Sequence, residues 1–271
     1  MRRTGFTLVE LLAVIAIIAM LIGILIPTLR TSRQQARAAV CGSNLKQLAL
    51  ALMVYDQENG TFPHGFNDDI PLIMTEPPGG YPGVHTHDLQ GWWWFHFLLA
   101  GSLGENFNEE TTIWCPSRCI RDPLPKANVL CGNYGVNRAI CKDAQPEGNE
   151  FVGVPLGLNQ IRHPAGTLLI TDSGYSLISW RGATNAAGQP FENTQREGAF
   201  YVPGLAINNQ RLLEGAISPS CERDAIDGRH PNRSVNVGFT DGHTARVEAD
   251  DLFVEENDDS YSNLSPLWLP K

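Results

Sequence analysis

Between Leu11 and Ile26 the chain carries no polar side chain, and from Phe6 onward only Thr7 and Glu10 interrupt the apolar run. At about 1.5 Å rise per residue, a helix over Phe6–Ile26 spans roughly 31 Å. That is the hydrocarbon thickness of a bilayer, about 30 Å, so the segment is predicted to cross a membrane. Glu10 is the anomaly. A carboxylate at this depth costs a few kcal/mol and implies a role and a positively charged partner.

A cleaved secretory signal does not fit. The apolar run is too long, and Ala36-Arg37-Ala38, the first Ala-x-Ala site, lies beyond Arg30 and Arg33. Charge bias does not settle orientation, because Arg30, Arg33 and Arg37 outnumber Arg2 and Arg3. Past Arg30 the pattern becomes amphipathic: Leu45, Leu48, Leu52 and Tyr55 fall on one helical face, with Lys46, Gln47, Asp56 and Glu58 on others. Asn59-Gly60 and then Pro63 end the helix. One helix from about Phe6 to Asp56, roughly 75 Å long, is therefore expected, with Pro27 removing one backbone hydrogen bond and kinking the helix at the membrane exit.

Of the 271 residues, 42% are hydrophobic and 18% charged, which excludes wholesale disorder; 26 Gly and 18 Pro favour a turn-rich, β-containing headpiece. The net charge is −9 and no Lys/Arg cluster follows position 50, which excludes a nucleic-acid partner. Cysteines stand at positions 41, 115, 119, 131, 141 and 221. Downstream of an export segment, an even number reads as disulfides, whose pairing sequence alone leaves open. Cys131–Cys141 is favoured because ten residues with internal glycines can close that loop, and Cys115 and Cys119 are further candidates. Zinc on Cys115, Cys119, Cys131 and Cys141 is the alternative, but no tight Cys-x-x-Cys pair occurs, so no metal site is assigned.

In the headpiece, Pro63–His87 reads as a long loop, in which His85 and His87 are incidental or metal ligands. Trp92, Trp93, Trp94, Phe95 and their neighbours up to Leu99 read as a short buried helix, or else an aromatic binding platform. Trp114-Cys115-Pro116-Ser117 follows a β-prone run, and Asn133–Asn137 reads as a tight segment. Leu168–Gly174 is a strand running into a turn; Asp172-Ser173 lacks the Gly-x-Ser-x-Gly setting of a hydrolase. Residues 181–230 read as a loop-rich insertion. Val235, Val237 and Phe239 alternate up to Asp241-Gly242, and Ala245 and Val247 continue the alternation, a hairpin signal with both central residues at positive φ. The carboxylates between Glu248 and Asp259 read as a solvated tail, with Ca²⁺ as the alternative, and Trp268-Leu269-Pro270 as a segment folding back on the domain.

The residues Gly5-Phe6-Thr7-Leu8-Val9-Glu10 resemble the processing site of type IV pilins and of the pseudopilins of type II secretion. The resemblance implies that a prepilin peptidase cleaves after Gly5 on the cytoplasmic side and methylates the new amine of Phe6. Glu10 then holds the family's fifth mature position, and Pro27 its proline near position 22. Cys41-x-x-Asn44-Leu45-Lys46-Gln47-Leu48 and Asn59-Gly60-x-Phe62-Pro63 are similar to pilin-like envelope proteins with a C-terminal His-X-Asp-Gly motif. Here that motif is His230 and Asp241-Gly242, with ten intervening residues where the family has nine.

The expected fold is therefore α+β and pilin-like: residues 1–5 a leader, 6–29 a transmembrane segment, 30–58 an amphipathic spine, and 59–271 an antiparallel β-sheet headpiece with long loops. The resemblance implies a non-enzymatic structural subunit without a cofactor, in which Glu10 pairs with the amine of a neighbouring copy. Its partners would be the prepilin peptidase, other pilin or pseudopilin subunits, the inner-membrane assembly machinery and the membrane itself. It would be single-pass in the inner membrane with a periplasmic headpiece, or part of a surface filament. The alternatives are a membrane-anchored module binding a surface polymer or carbohydrate, and a metal-dependent hydrolase using His85, His87, His230 and Asp241.

Overall fold

The structure is a computed structural model and describes residues 7–67, 92–98, 112–118, 133–144, 150–173, 176–180, 229–252, 254, 256–257, 260–261 and 266–270. Helix α1, Leu8–Asn59, runs unbroken for 52 residues. It ends as the sequence predicts: Gly60 takes the left-handed conformation at φ 78° and donates its N–H to Asp56 O at 2.7 Å. The helix continues through Pro27, where the Thr28 and Thr31 hydroxyls donate to Leu25 O (2.9 Å) and Pro27 O (3.2 Å).

The two halves of α1 differ sharply in burial. Large apolar side chains from Leu8 to Leu29 are exposed, whereas Ala38, Cys41, Leu45, Leu48, Ala49, Ala51, Leu52 and Asp56 are buried against the headpiece. Asp56 departs from the sequence reading, which placed it off the apolar face. Its carboxylate accepts the Leu158 N–H at 3.0 Å, so burial is compensated by a hydrogen bond to an otherwise orphaned turn.

The headpiece is built on a five-stranded sheet. Its strands are β3 (Tyr134–Asn137), β4 (Leu168–Asp172), β5 (Leu177–Ile178), β6 (Ser234–Phe239) and β7 (Thr244–Glu248), in the order β5-β3-β4-β6-β7. All pairs are antiparallel except β3–β5, so the sheet is mixed. A second, two-stranded sheet pairs β1 (Phe66–Asn67) with β2 (Trp92–Trp93), and β8 (Glu256–Asn257) pairs with β9 (Ser260–Tyr261). Helix α2, Trp94–Leu98, follows β2 directly. Trp93, Trp94, Phe95 and Leu98 are buried with the α1 face, as expected for a packed segment rather than an open platform. The Phe97 ring meets Tyr55 of α1 edge-on at 6.0 Å between centroids.

Every residue of β6 is buried. Gly238 and Asn236 face α1: a Cβ at Gly238 would lie 3.2 Å from that of Ala49, and the Asn236 side chain lies against Gly42. Val235, Val237 and Phe239 alternate onto the other face. The C-terminal segment returns to the sheet, with Leu168 N–H donating to Leu267 O at 2.9 Å. Trp268 is fully buried; its indole donates to Leu252 O (3.2 Å) and its carbonyl accepts from the Asn137 amide (2.8 Å). Asn133–Asn137, expected to be a tight segment, instead contains the buried strand β3, because the Asn137 side chain finds three backbone partners there.

The last hairpin lies where the sequence places it, with a different turn. Phe239 N–H donates to His243 O and Gly242 N–H to Phe239 O, both at 2.9 Å, so three residues form the loop. Gly242 has φ 83°, whereas Asp241 is not among the positive-φ residues. The loop is a turn followed by a left-handed glycine bulge rather than a two-residue turn.

Candidate functional site

The first candidate region is the N-terminal half of α1. Thr7 caps the helix and Glu10 completes a capping box: Glu10 N–H donates to Thr7 Oγ1 (3.3 Å), while Thr7 N–H and Oγ1 donate to Glu10 Oε2 (2.9 and 2.7 Å). Glu10 therefore already has local work, satisfying orphan donors and opposing the positive end of the helix dipole. Around it, an 18-residue window of mean hydropathy 3.0 is wholly unburied within the chain. Among the described residues α1 is the one helix long and apolar enough to cross a membrane, and it is consistent with a membrane anchor. Gly5 and Phe6 lie outside the described residues. Pro27 sits in the unburied half of the helix.

The second region is buried where the spine meets the sheet. Cys41 comes from α1, Cys115 from the turn segment 112–118, Asp172 from the end of β4, and His230 from just before β6. One ligand-type atom from each lies within 4.8 Å of all the others. Cys41 Sγ and Cys115 Sγ are 2.7 Å apart, and His230 Nε2 is 2.9 Å from Asp172 Oδ2. The imidazole is close enough to pair with the carboxylate but is not aligned for a hydrogen bond. Asp172 Oδ1 and both ring nitrogens of His230 are buried without hydrogen-bond partners.

Surrounding groups fix this arrangement. Asn236 N–H donates to Asp172 Oδ2 at 2.7 Å, and Asn133 Oδ1 accepts the Cys115 N–H at 2.9 Å. Arg229 donates to Asn133 O (2.7 Å) and Ser173 O (2.8 Å), and the Asn44 amide ties α1 to Trp114 O (3.3 Å). His230 is held by a tight turn, its N–H donating to Ser234 O at 2.9 Å, with Asn232 and Arg233 both left-handed. Burial alone would raise the Asp172 pKa, but His230, Arg229 and the Asn236 N–H outweigh it and hold the carboxyl below its ordinary value. Hydrogen bonding to Cys115 lowers the Cys41 pKa, whereas burial raises that of Cys115.

The other sequence candidates do not gather. His230 and Asp241 stand before and after β6, separated by the length of the strand. Asp241 is partly exposed and pairs with His243 at 2.5 Å, whose ring stacks on Phe239 at 4.2 Å between centroids. A hydrolase centre joining His230 to Asp241 is therefore not assembled, and His85 and His87 lie outside the described residues. Cys141 is a buried free thiol, its pKa pushed up by burial with Asp143 adding to the effect. Its expected partner Cys131, and Cys119, lie outside the described residues; Cys115 has Cys41 as its sulfur neighbour. Sequence reasoning missed the grouping of Cys41 and Asp172 with Cys115 and His230. The one local signal was an aspartate closing the apolar run Leu168-Leu169-Ile170 and Thr171, where a buried charge demands a partner.

A helix of membrane-spanning length whose second half packs on a mixed α+β sheet domain is a pilin-like architecture. Residues 1–26 match the family described as the prokaryotic N-terminal methylation motif, and residues 30–113 match a family described as a protein of unknown function (DUF1559). The type II secretion system core protein G of Pseudomonas aeruginosa is 31% identical over 78 residues, which make up 29% of this chain and 54% of that protein. The chain thus spans about half the length of this curated relative. No solved structure matches the chain. At the family level, the chain is similar to pilin and pseudopilin proteins that carry an N-terminal methylation motif.

Proposed function

We propose that the chain is a pilin-like structural subunit, cleaved after Gly5, methylated on the Phe6 amine, and assembled through the exposed half of α1 into a type IV pilus-like or type II secretion pseudopilus filament. Before assembly it sits in the inner membrane, where the prepilin peptidase and the assembly machinery meet it, with its headpiece on the periplasmic side. The subunit works by packing and display rather than by catalysis. The observation that carries this reading is the contrast along one continuous helix. Residues Leu8–Leu29 offer apolar side chains on all sides to lipid or to neighbouring helices, while residues from Ala38 onward hold the headpiece. Lipid and a fibre core are interchangeable surroundings for such a surface.

The capping box sharpens the test of Glu10. In the single chain its carboxylate serves the helix end; in a filament the same charge is proposed to pair with the Phe6 amine of a neighbouring copy. Glu10→Ala removes both roles, whereas Glu10→Gln keeps a side-chain acceptor for Thr7 and removes the charge. Glu10→Gln protein is expected to insert into the membrane normally and to be lost from sheared or cross-linked filaments. Filament yield equal to wild type for Glu10→Gln would refute the charge pairing.

A further inference from the structure

We infer that Cys41, Cys115, Asp172 and His230 form a four-ligand site for a zinc-class divalent cation that clamps the spine helix to the headpiece. Two sulfurs, an imidazole nitrogen and a carboxylate oxygen make a complete tetrahedral donor set of the borderline-soft kind that zinc takes. All four side chains are buried and converge from four separate elements. Four protein donors leave no open position, so the site is structural rather than catalytic.

Two observations favour a cation over a simple Cys41–Cys115 disulfide. Asp172 Oδ1 is buried without a hydrogen-bond partner and neither ring nitrogen of His230 makes an aligned hydrogen bond, although Nε2 lies 2.9 Å from Asp172 Oδ2; a disulfide would leave them so, whereas a cation takes Oδ1 and one ring nitrogen. Asp172 Oδ2 is already held by the Asn236 N–H, which leaves Oδ1 to bind and fixes its direction, an arrangement usual around metal ligands.

The sulfurs at 2.7 Å are closer than two thiolates sharing a tetrahedral ion, about 3.8 Å for metal–sulfur bonds of about 2.3 Å, so loading moves them apart. Binding breaks two S–H bonds, forms two metal–sulfur bonds and sends two protons to solvent; no electron is transferred. Because Cys41 belongs to α1, the cation would couple headpiece to spine independently of processing or assembly.

The test uses untagged full-length protein purified in detergent micelles without chelators. Elemental analysis is expected to find about one zinc per chain, lost in both Cys41→Ala and His230→Ala. Wild-type protein exchanged with Co²⁺ should show tetrahedral visible bands together with thiolate-to-cobalt charge transfer, a readout that needs no variant to fold. Metal-free protein whose peptide map joins Cys41 to Cys115 would overturn the inference. Zinc content unchanged in the two variants, or a cobalt spectrum without thiolate charge transfer, would overturn it equally.

Discussion

Gly242, in the loop of the last hairpin, rests against the Met53 sulfur of the spine helix so closely that a Cβ at position 242 would collide with it. Gly242 therefore has two physical reasons to be glycine: left-handed backbone at φ 83° and the approach of α1. Asp241 and Gly242 shape and dock a turn, while His230 lies in a separate buried cluster.

Gly242→Ala should destabilise the protein by about 1–3 kcal/mol through backbone strain, with the Met53 clash added. Thermal unfolding of the full chain in detergent measures this. A companion Met53→Ala change should recover the steric part and leave the strain.

Asp56 should matter more than its place near the end of a long helix implies. Asp56→Ala removes the acceptor for the Leu158 N–H and is expected to cost about 1–2 kcal/mol. Chemical denaturation reads this directly, and Asp56→Asn, which retains an acceptor oxygen, should cost less.

Trp268, three residues from the end of the chain, should behave as a core residue. It is fully buried with its indole N–H bonded to Leu252 O, so Trp268→Ala should cost about 3–5 kcal/mol. Loss of protection in the β4 amides by hydrogen exchange would locate the effect.

The Asp241–His243 pair predicts a pH dependence. Burial works to raise the Asp241 pKa, but the His243 N–H and imidazole outweigh it and hold the carboxyl below its ordinary value. A carboxylate whose pKa is lower folded than unfolded stabilises fully above the unfolded value, about 3.9. That contribution is lost as pH falls through the folded value. His243→Ala should therefore lose less stability than wild type on acidification below about pH 4. Superimposable pH profiles would contradict the pairing.

What was legible in the sequence was what depends on neighbours in the chain. The buried face through Leu45, Leu48 and Leu52, the Gly60 cap and the position of the last hairpin follow from periodicity and turn chemistry, and the structure has all three. Asp56, placed off the apolar face, and Asn137, read only as part of a tight segment, were not seen as buried because periodicity and composition do not show a polar residue's distant partner. Each is buried by a hydrogen-bond partner distant in sequence, Leu158 for one and Leu168 with Trp268 for the other. The Cys41, Cys115, Asp172 and His230 cluster is the extreme case. No spacing encodes it, because it exists only once α1 lies on the sheet and β4 pairs with β6.

The proposal that the apolar helix is a processed assembly element is tested most directly by the intact mass and N-terminal sequence of the protein isolated from its native membrane. The account predicts a chain beginning at Phe6 and carrying one methyl group on its α-amine. A chain beginning at Met1, or one cleaved beyond the apolar helix, would contradict it.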